Sequence, residues 1–359
     1  MQLIRRVLSF IFKVWAATTI GTIVFMVMTV GSLVLIAVIA GSLSDSELEE
    51  QQVVYGSEDA DHTFVSIPIN GVIMGDRAST SDWLDLLSES GVVYGYEVKE
   101  QLHKLAKDDE VAGVILEINS PGGTIFGSKA IADGVAHYRE RTNKPVVAFI
   151  SNMAASGGYW SAVSADYILA DAGTTVGSIG VIFGPFKYYD GVTSEDGGAF
   201  IGGVETTGGI ETEYITAGNS KDLGNPYRRL TGQERAHLQN MVDGSYEQFV
   251  SYVAERRNIE SAVIRNSLGA LIFDEIQAKE AGLIDATGSK ESAYDFLATK
   301  AGVESQNYKV IRKIGPEAVL QSLLAHVGFI SGRQTKNPLC TLQSNALVYY
   351  GSTAVQCAQ

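Results

Sequence analysis

Val111-Ala112-Gly113-Val114-Ile115-Leu116-Glu117-Ile118-Asn119-Ser120-Pro121-Gly122-Gly123 is the stretch that decides the fold class. Its first eight residues form a near-continuous apolar run. That is the pattern of a strand buried on both faces, as in a parallel sheet covered by helices. The run then meets Ser-Pro-Gly-Gly. This reads as a loop in which proline stiffens the entry and the glycines let backbone N–H groups face a ligand. In an α/β sheet the C-terminal strand ends line the binding crevice. A plain tight turn is the competing reading.

The flanks repeat the alternation. Phe64 to Ile69 with Gly71-Val72-Ile73 reads as a first strand, and Tyr96 to Ala106 as a helix with Val98, Leu102 and Leu105 on one side. Ile125 to Tyr138 reads as a helix, Pro145 to Ile150 as a second buried strand, Gly157 to Val163 as a helix, and Asp166 to Ala170 as a short strand. Strands alternating with helices predict βαβ units, hence an α/β fold with a mostly parallel sheet. Phe183 to Gly209 is rich in Gly, Thr and Tyr and reads as a long loop or irregular hairpin. Glu213 to Thr216 reads as a strand. Leu230 to Arg257 is a long helix with Thr231 as candidate N-cap, and Asp274 to Ala281 a shorter one ending at Gly282. Val319 to Phe329 carries one more helical pattern.

The 359 residues, 45% hydrophobic and 19% charged, suffice for a substantial core. A net charge of −14 argues against nucleic acid as the main partner, because phosphate binding needs a basic surface. Between Lys13 and Asp45 no charged residue occurs, and Val14 to Gly41 is long enough to cross a bilayer core of ~30 Å. Arg5, Arg6 and Lys13 precede the run and Asp45, Glu47, Glu49 and Glu50 follow it. This predicts a cytoplasmic N-terminus and an extracytoplasmic main domain. A cleaved signal peptide is the rival, but its apolar region is usually ~7–15 residues. The two cysteines, Cys340 and Cys357, permit a disulfide without requiring one, and no zinc-type spacing occurs.

The chemistry starts at Met153-Ala154-Ala155-Ser156-Gly157-Gly158-Tyr159-Trp160. A serine at a strand-to-helix junction, among small residues, can serve as an exposed nucleophile with the helix dipole behind it. An ordinary N-cap serine is the bland reading. Gly177-Ser178-Ile179-Gly180-Val181 is a third glycine turn. None of the five histidines, His62, His103, His137, His237 and His326, has a motif-like setting, so a Ser-His-Asp triad is unsupported. A lysine can act as base if its pKa falls from ~10.4 toward neutrality, at a cost of roughly 4 kcal/mol. Lys221, in Asn219-Ser220-Lys221-Asp222, is one candidate, and physical chemistry alone does not select it from the other lysines.

Taken together, Asn119-Ser120-Pro121-Gly122-Gly123, Ala155-Ser156-Gly157-Gly158-Tyr159, Gly177-Ser178-Ile179-Gly180-Val181 and Ser220-Lys221-Asp222 resemble the signal peptide peptidase A family of serine proteases, in its short single-domain form. Order and spacing match over residues ~64–290. The resemblance implies Ser156 as nucleophile, Lys221 as general base, and Gly122 or Gly123 in the oxyanion hole. It implies a crotonase- or Clp-protease-like core, a ring-shaped homo-oligomer whose serine and lysine can come from neighbouring subunits, no cofactor or metal, and hydrophobic peptide substrates such as spent signal peptides. The segment from Gly184 to Tyr214 is longer and more Gly-rich than the family's, and Ala270 and Glu275 stand where the family tends to have glycines.

The expected organisation is a basic N-terminus (1–13), a transmembrane anchor (14–41), a linker (42–62), a protease domain (63–300) and a C-terminal extension (301–359). The alternatives are an acyl-CoA enzyme on the same fold, a membrane protease that processes a stomatin-like partner, and an inactive membrane scaffold.

Overall fold

The computed structural model describes residues 19–22, 24–28, 31, 50–77, 91–186, 188, 217, 219–304, 307–314 and 348–350. The chain divides into two compact units, Met1–Gln51 with Ile314–Phe329 and Gln52–Lys313 with Ile330–Gln359. Among the described residues no helix is long and apolar enough to cross a membrane. The apolar run read over 14–41 lies mostly outside them, as do Val319–Phe329, Glu213–Thr216, both cysteines and most of Phe183–Gly209.

The apolar run is strand β4 (Val111–Thr124), in the middle of the sheet. Strands β2 (His62–Met74) and β5 (Val146–Ala155) flank it, both parallel to it. The sheet continues as β1 (Glu50–Gly56), β10 (Tyr308–Ile314), β2, β4, β5, β6 (Tyr167–Ala170) and β9 (Ala286–Thr287). Four short strands hang off this path among the described residues. β3 (Val92–Tyr94) pairs with β2, and β7 (Thr175–Gly177) lies between β5 and β8 (Ile272–Asp274). β7 pairs antiparallel with β8, and β11 (Val348–Tyr350) pairs antiparallel with β4.

Two separate cores explain why the strands are apolar throughout. Successive side chains of a strand point to opposite faces. Val114, Leu116 and Ile118 therefore join one core with Val65, Ile67, Val146 and Ala148, under helices α1 (Gly95–Leu105), α2 (Ile125–Thr142), α3 (Gly157–Val163) and α4 (Gly232–Arg257). Ile115 joins the other, with Phe64, Val147, Phe149 and Leu169, against Ala293, Tyr294 and Leu297 of α6 (Lys290–Lys300). α5 (Glu275–Glu280) is capped by Asp274. Each fully buried Val, Leu or Ile contributes about 1.5–3 kcal/mol, so no strand position in the centre is free to be polar without compensation. Glu117 is the exception. It accepts hydrogen bonds from Ser66 Oγ (2.6 Å), Tyr294 OH (2.7 Å), Lys290 Nζ (2.6 Å) and Arg312 Nη2 (2.8 Å). Burial alone pushes its pKa up, but those donors and the Arg312 charge outweigh burial and hold the carboxyl below the usual range.

Three differences from the sequence reading matter. First, Asn119–Gly123 is not a loop, because β4 continues to Thr124. The glycines keep pairing with Val72 and Ile73 of β2, and a Cβ on Gly123 would lie 1.9 Å from Ile73 O. The glycines here permit a close strand approach instead of a turn. Second, β5 runs on to Ala155, directly up to Ser156, where the reading stopped at Ile150. Third, Glu50–Gly56, inside the stretch read as a linker, forms β1.

Candidate active site

Ser156 stands in the one-residue joint between β5 and α3. Its backbone takes φ 54° and ψ −118°, a conformation that a residue with a Cβ adopts only under constraint. The constraint is visible. Ser156 N donates to Gly177 O (2.8 Å), Trp160 N donates to Ser156 O (2.9 Å), and β7 lies alongside Met153–Ala155. The third glycine turn thus buttresses the serine. Gly177 approaches Leu271 O, and Gly180 packs on Ala270. The side chain is fully buried, makes no capping bond, and its Oγ has no hydrogen-bond partner. A buried unsatisfied hydroxyl costs about 1–3 kcal/mol. An N-cap serine would spend its oxygen on the first turn, so the bland reading of Ser156 fails.

The glycines after Ser156 are required by what lies beneath them. A Cβ on Gly157 would lie 2.3 Å from Ser128 Oγ and 3.1 Å from Gly123 N, and one on Gly158 would lie 2.7 Å from Ser120 O. The end of β4 is therefore pressed against the start of α3. There the two glycines differ. Gly122, at φ 107°, gives its N–H to Ser120 Oγ (3.1 Å), whose hydroxyl in turn donates to Gly71 O (2.6 Å). Gly123 is the one whose nitrogen faces the α3 N-terminus. Ser120 and Ser128 belong to this site, and the sequence reading did not single them out. Ser128 is buried and donates to Thr124 O (3.0 Å), while Thr124 caps α2 by accepting from Gly127 N.

One strand of the chain's own C-terminal region lies at the same place. β11 pairs antiparallel with the end of β4, Val348 opposite Thr124, Tyr349 opposite Gly123 and Tyr350 opposite Gly122, and it also approaches α3. The edge beside Ser156 is therefore paired, through its main chain, with an extended segment of the same chain.

Lys221 lies elsewhere, on an exposed turn ahead of α4. Its neighbours are tied down. Arg228 forms paired bonds to Asp222 (2.6 and 2.7 Å) and to Glu234 (2.8 and 2.9 Å). Glu234 is the third residue of α4 and closes a capping box with Thr231. The Arg228 hydrogen bonds hold both carboxyls below the usual range, helped at Glu234 by Thr231 and Ser220. Far along α4, Trp160 of α3 stacks on Tyr252 (ring centroids 4.6 Å) and lies 5.0 Å from the Phe249 ring. From Glu234 to Phe249 is about 22 Å of helix at 1.5 Å per residue. Because Ser156 Oγ has no partner, no Lys221–Ser156 hydrogen bond closes within this chain.

Among the described residues no histidine bonds to Ser156 Oγ. His103 and His137 stack on each other (4.0 Å) between α1 and α2, and burial together with the His137 charge lowers the His103 pKa. No group of three or more metal-ligating side chains occurs among the described residues.

The family model described as Peptidase family S49 matches residues 138–304. A candidate signal peptide peptidase of Enterococcus faecium is 32% identical over 70% of this chain and 67% of its own length. A candidate protease of a Synechocystis strain is 31% identical over 63% of this chain and 79% of its own length. The chain belongs to peptidase family S49. A third similar protein, a candidate protease of Methanocaldococcus jannaschii, is 36% identical over 57% of this S49 chain, which spans 61% of that relative's length. The residues matched to the S49 model include Ser156 and Lys221; Gly122 and Gly123 lie upstream of them.

Proposed function

We propose that this protein is a membrane-anchored serine endopeptidase with a Ser156–Lys221 dyad. The observation that carries the reading is the Ser156 joint: a strained strand-to-helix turn holding a hydroxyl that is buried and uncommitted. Strain of this kind persists where the surroundings over-determine it, as at a nucleophile elbow. Neutral Lys221 takes the Ser156 proton as Oγ attacks a peptide carbonyl. The oxyanion is met by the Gly123 N–H and by the N–H of Gly157, one of the first-turn donors that have no partner inside a helix. Gly122 is the weaker candidate, because its N–H already serves Ser120. Lys221 then protonates the leaving amine, and water hydrolyses the acyl-enzyme.

Lys221 comes from a neighbouring copy in a ring-shaped homo-oligomer. Two facts support this. The lysine is exposed on its own chain, and Ser156 is unpartnered on its own chain. Insertion between copies would desolvate the ammonium and favour the neutral base. Substrates bind as an added strand on the end of β4, in the manner of β11. Hydrophobic peptides at the membrane, such as spent signal peptides, are the substrate class. The anchor over 14–41 places the peptidase domain outside the cytoplasm, and no metal or nucleotide takes part.

The test is hydrolysis of hydrophobic peptides by the full chain in detergent, compared with Ser156→Ala and Lys221→Ala. Loss of activity in both variants, with folding and assembly intact, upholds the reading. Full activity of Lys221→Ala removes the lysine as base. Inactivity of the assembled wild type favours the scaffold.

A further inference from the structure

We propose that Arg228, bridging Asp222 and Glu234, is the positioning residue of the Lys221 base; this rests on the reading of Lys221 given above. The turn is anchored on both sides of the lysine. Asp222, immediately after it, takes a bidentate fork from Arg228 at 2.6 and 2.7 Å. Ser220, immediately before it, sits at φ 63°, and its side chain helps hold the Glu234 carboxyl below the usual range. Glu234 closes the arrangement by accepting both Arg228 Nη1 (2.9 Å) and Nη2 (2.8 Å). Lys221 itself takes part in no ion pair among the described residues.

A helix cap alone does not explain Glu234. A capping box needs only the reciprocal bonds between Thr231 and Glu234. Those exist, at 2.8 and 3.2 Å. The additional partners, Arg228 and Ser220, both come from the stretch that carries Lys221. Glu234 is also 4% exposed on a helical turn whose neighbours are open to solvent. A carboxylate withdrawn from water in this way is held by charge-assisted, geometrically specific bonds. The result is a rigid turn that presents one uncommitted lysine outward, as a base delivered to another copy requires. A planar guanidinium is needed at its centre, because one Lys ammonium cannot fork onto two carboxylates.

The experiment compares Arg228→Gln, Arg228→Lys, Lys221→Ala and the double variant Arg228→Gln/Lys221→Ala, all as full chains. The substrate is a p-nitrophenyl ester, whose leaving group departs unprotonated, so that residual rates stay measurable. Oligomer size and melting temperature are recorded alongside. Arg228→Gln is expected to lower kcat at least about tenfold with KM changed less than about twofold, the signature of a misplaced base. Arg228→Lys recovers only part of that loss. The double variant is expected to match Lys221→Ala, because a residue that acts only through the lysine has nothing left to position. Full kcat in Arg228→Gln overturns the proposal while leaving the dyad intact, as does a further loss in the double variant. Full activity of Lys221→Ala overturns the dyad itself, and the positioning role with it. Should Arg228→Gln fail to assemble, Asp222→Asn cuts the same fork without touching the α4 cap and is read by the same criteria.

Discussion

The Ser156 joint and the Lys221 turn are built from opposite materials. Ser156 is fixed by backbone: a strand behind it, a helix ahead, an N–H bonded to Gly177 O, and glycines that let β4 press close. Its surroundings are buried and uncharged. Lys221 is fixed by side-chain charge at the surface, through Asp222, Arg228 and Glu234. The first arrangement is insensitive to salt and intolerant of volume. The second tolerates volume and depends on ionisation. A nucleophile must hold its position relative to an oxyanion site to within about 0.5 Å, which rigid backbone provides. A base that arrives from outside has to be displayed, and partly buried ion pairs beneath an exposed turn can display it.

Five predictions sharpen or break this contrast. The largest effect is expected from Ser156→Ala, which should reduce peptide hydrolysis by roughly 10⁴-fold or more, since knocking out a nucleophile costs that much. The melting temperature should hold or rise, because a buried unpaired hydroxyl is removed. A fall of several degrees would show that Ser156 is structural. Next is Gly123→Ala, whose new Cβ meets Ile73 O at 1.9 Å. Activity should fall about 10²–10³-fold, the cost of a lost oxyanion donor. Unchanged kcat would remove the β4 edge from the mechanism.

Acid and salt separate the two regions. The carboxyls of Asp222 and Glu234 are depressed on folding, so their stabilisation is present above the ordinary carboxylate range and lost as pH falls through the lowered values. The clamp's contribution should therefore start to decline below about pH 4, the unperturbed carboxylate range, and be lost only as pH reaches the lowered values, read as pH-dependent unfolding. Molar salt should weaken it at neutral pH, where the Debye length falls to ~3 Å. Glu117, buried on β4, has the same sign of shift but less screening. Glu117→Gln should cost about 1–3 kcal/mol of stability, nearly independent of salt, read by denaturant unfolding. If salt erases that cost, the inner and outer charge clusters do not differ as described. The smallest effect is expected from deleting residues 345–359, which removes β11 from the β4 edge. KM for added peptides should fall by roughly threefold, the direction expected when a competing strand leaves. An unchanged KM would show that β11 does not compete with substrate.

Much of the centre of this fold is legible in one dimension. Val111–Ile118, apart from Glu117, and Val146–Ile150 are apolar because each face of the sheet has its own core, and no amphipathic period survives that demand. The edges were less legible. Glu50–Gly56 is a polar strand at the sheet margin, and Tyr308–Ile314, one strand further in, interleaves the buried Tyr308, Val310 and Ile311 with Lys309, Arg312 and Lys313, which blurs its apolar signal. Gly122-Gly123 was misread because glycine pairs signal turns locally, whereas here the missing side chains serve a neighbour 50 residues away. The signal for Glu234 was present as Thr231-x-x-Glu234, a capping box, but its bonds to Arg228 and the influence of Ser220 have no sequence signature.

From sequence alone came the α/β class, the parallel central strands, the small residues around Ser156 and, through resemblance, the choice of Lys221. These rest on periodicity, composition and motif, which act over a few residues at a time. Tertiary structure decided that Ser156 is strained and its hydroxyl uncommitted. It also decided that the Gly122 N–H is committed to Ser120, that a distant strand covers the β4 edge, and that Lys221 stands exposed in an ion-pair frame. Backbone strain, hydrogen-bond satisfaction and burial are properties of a residue's neighbours in space, and the order of residues along the chain does not contain them.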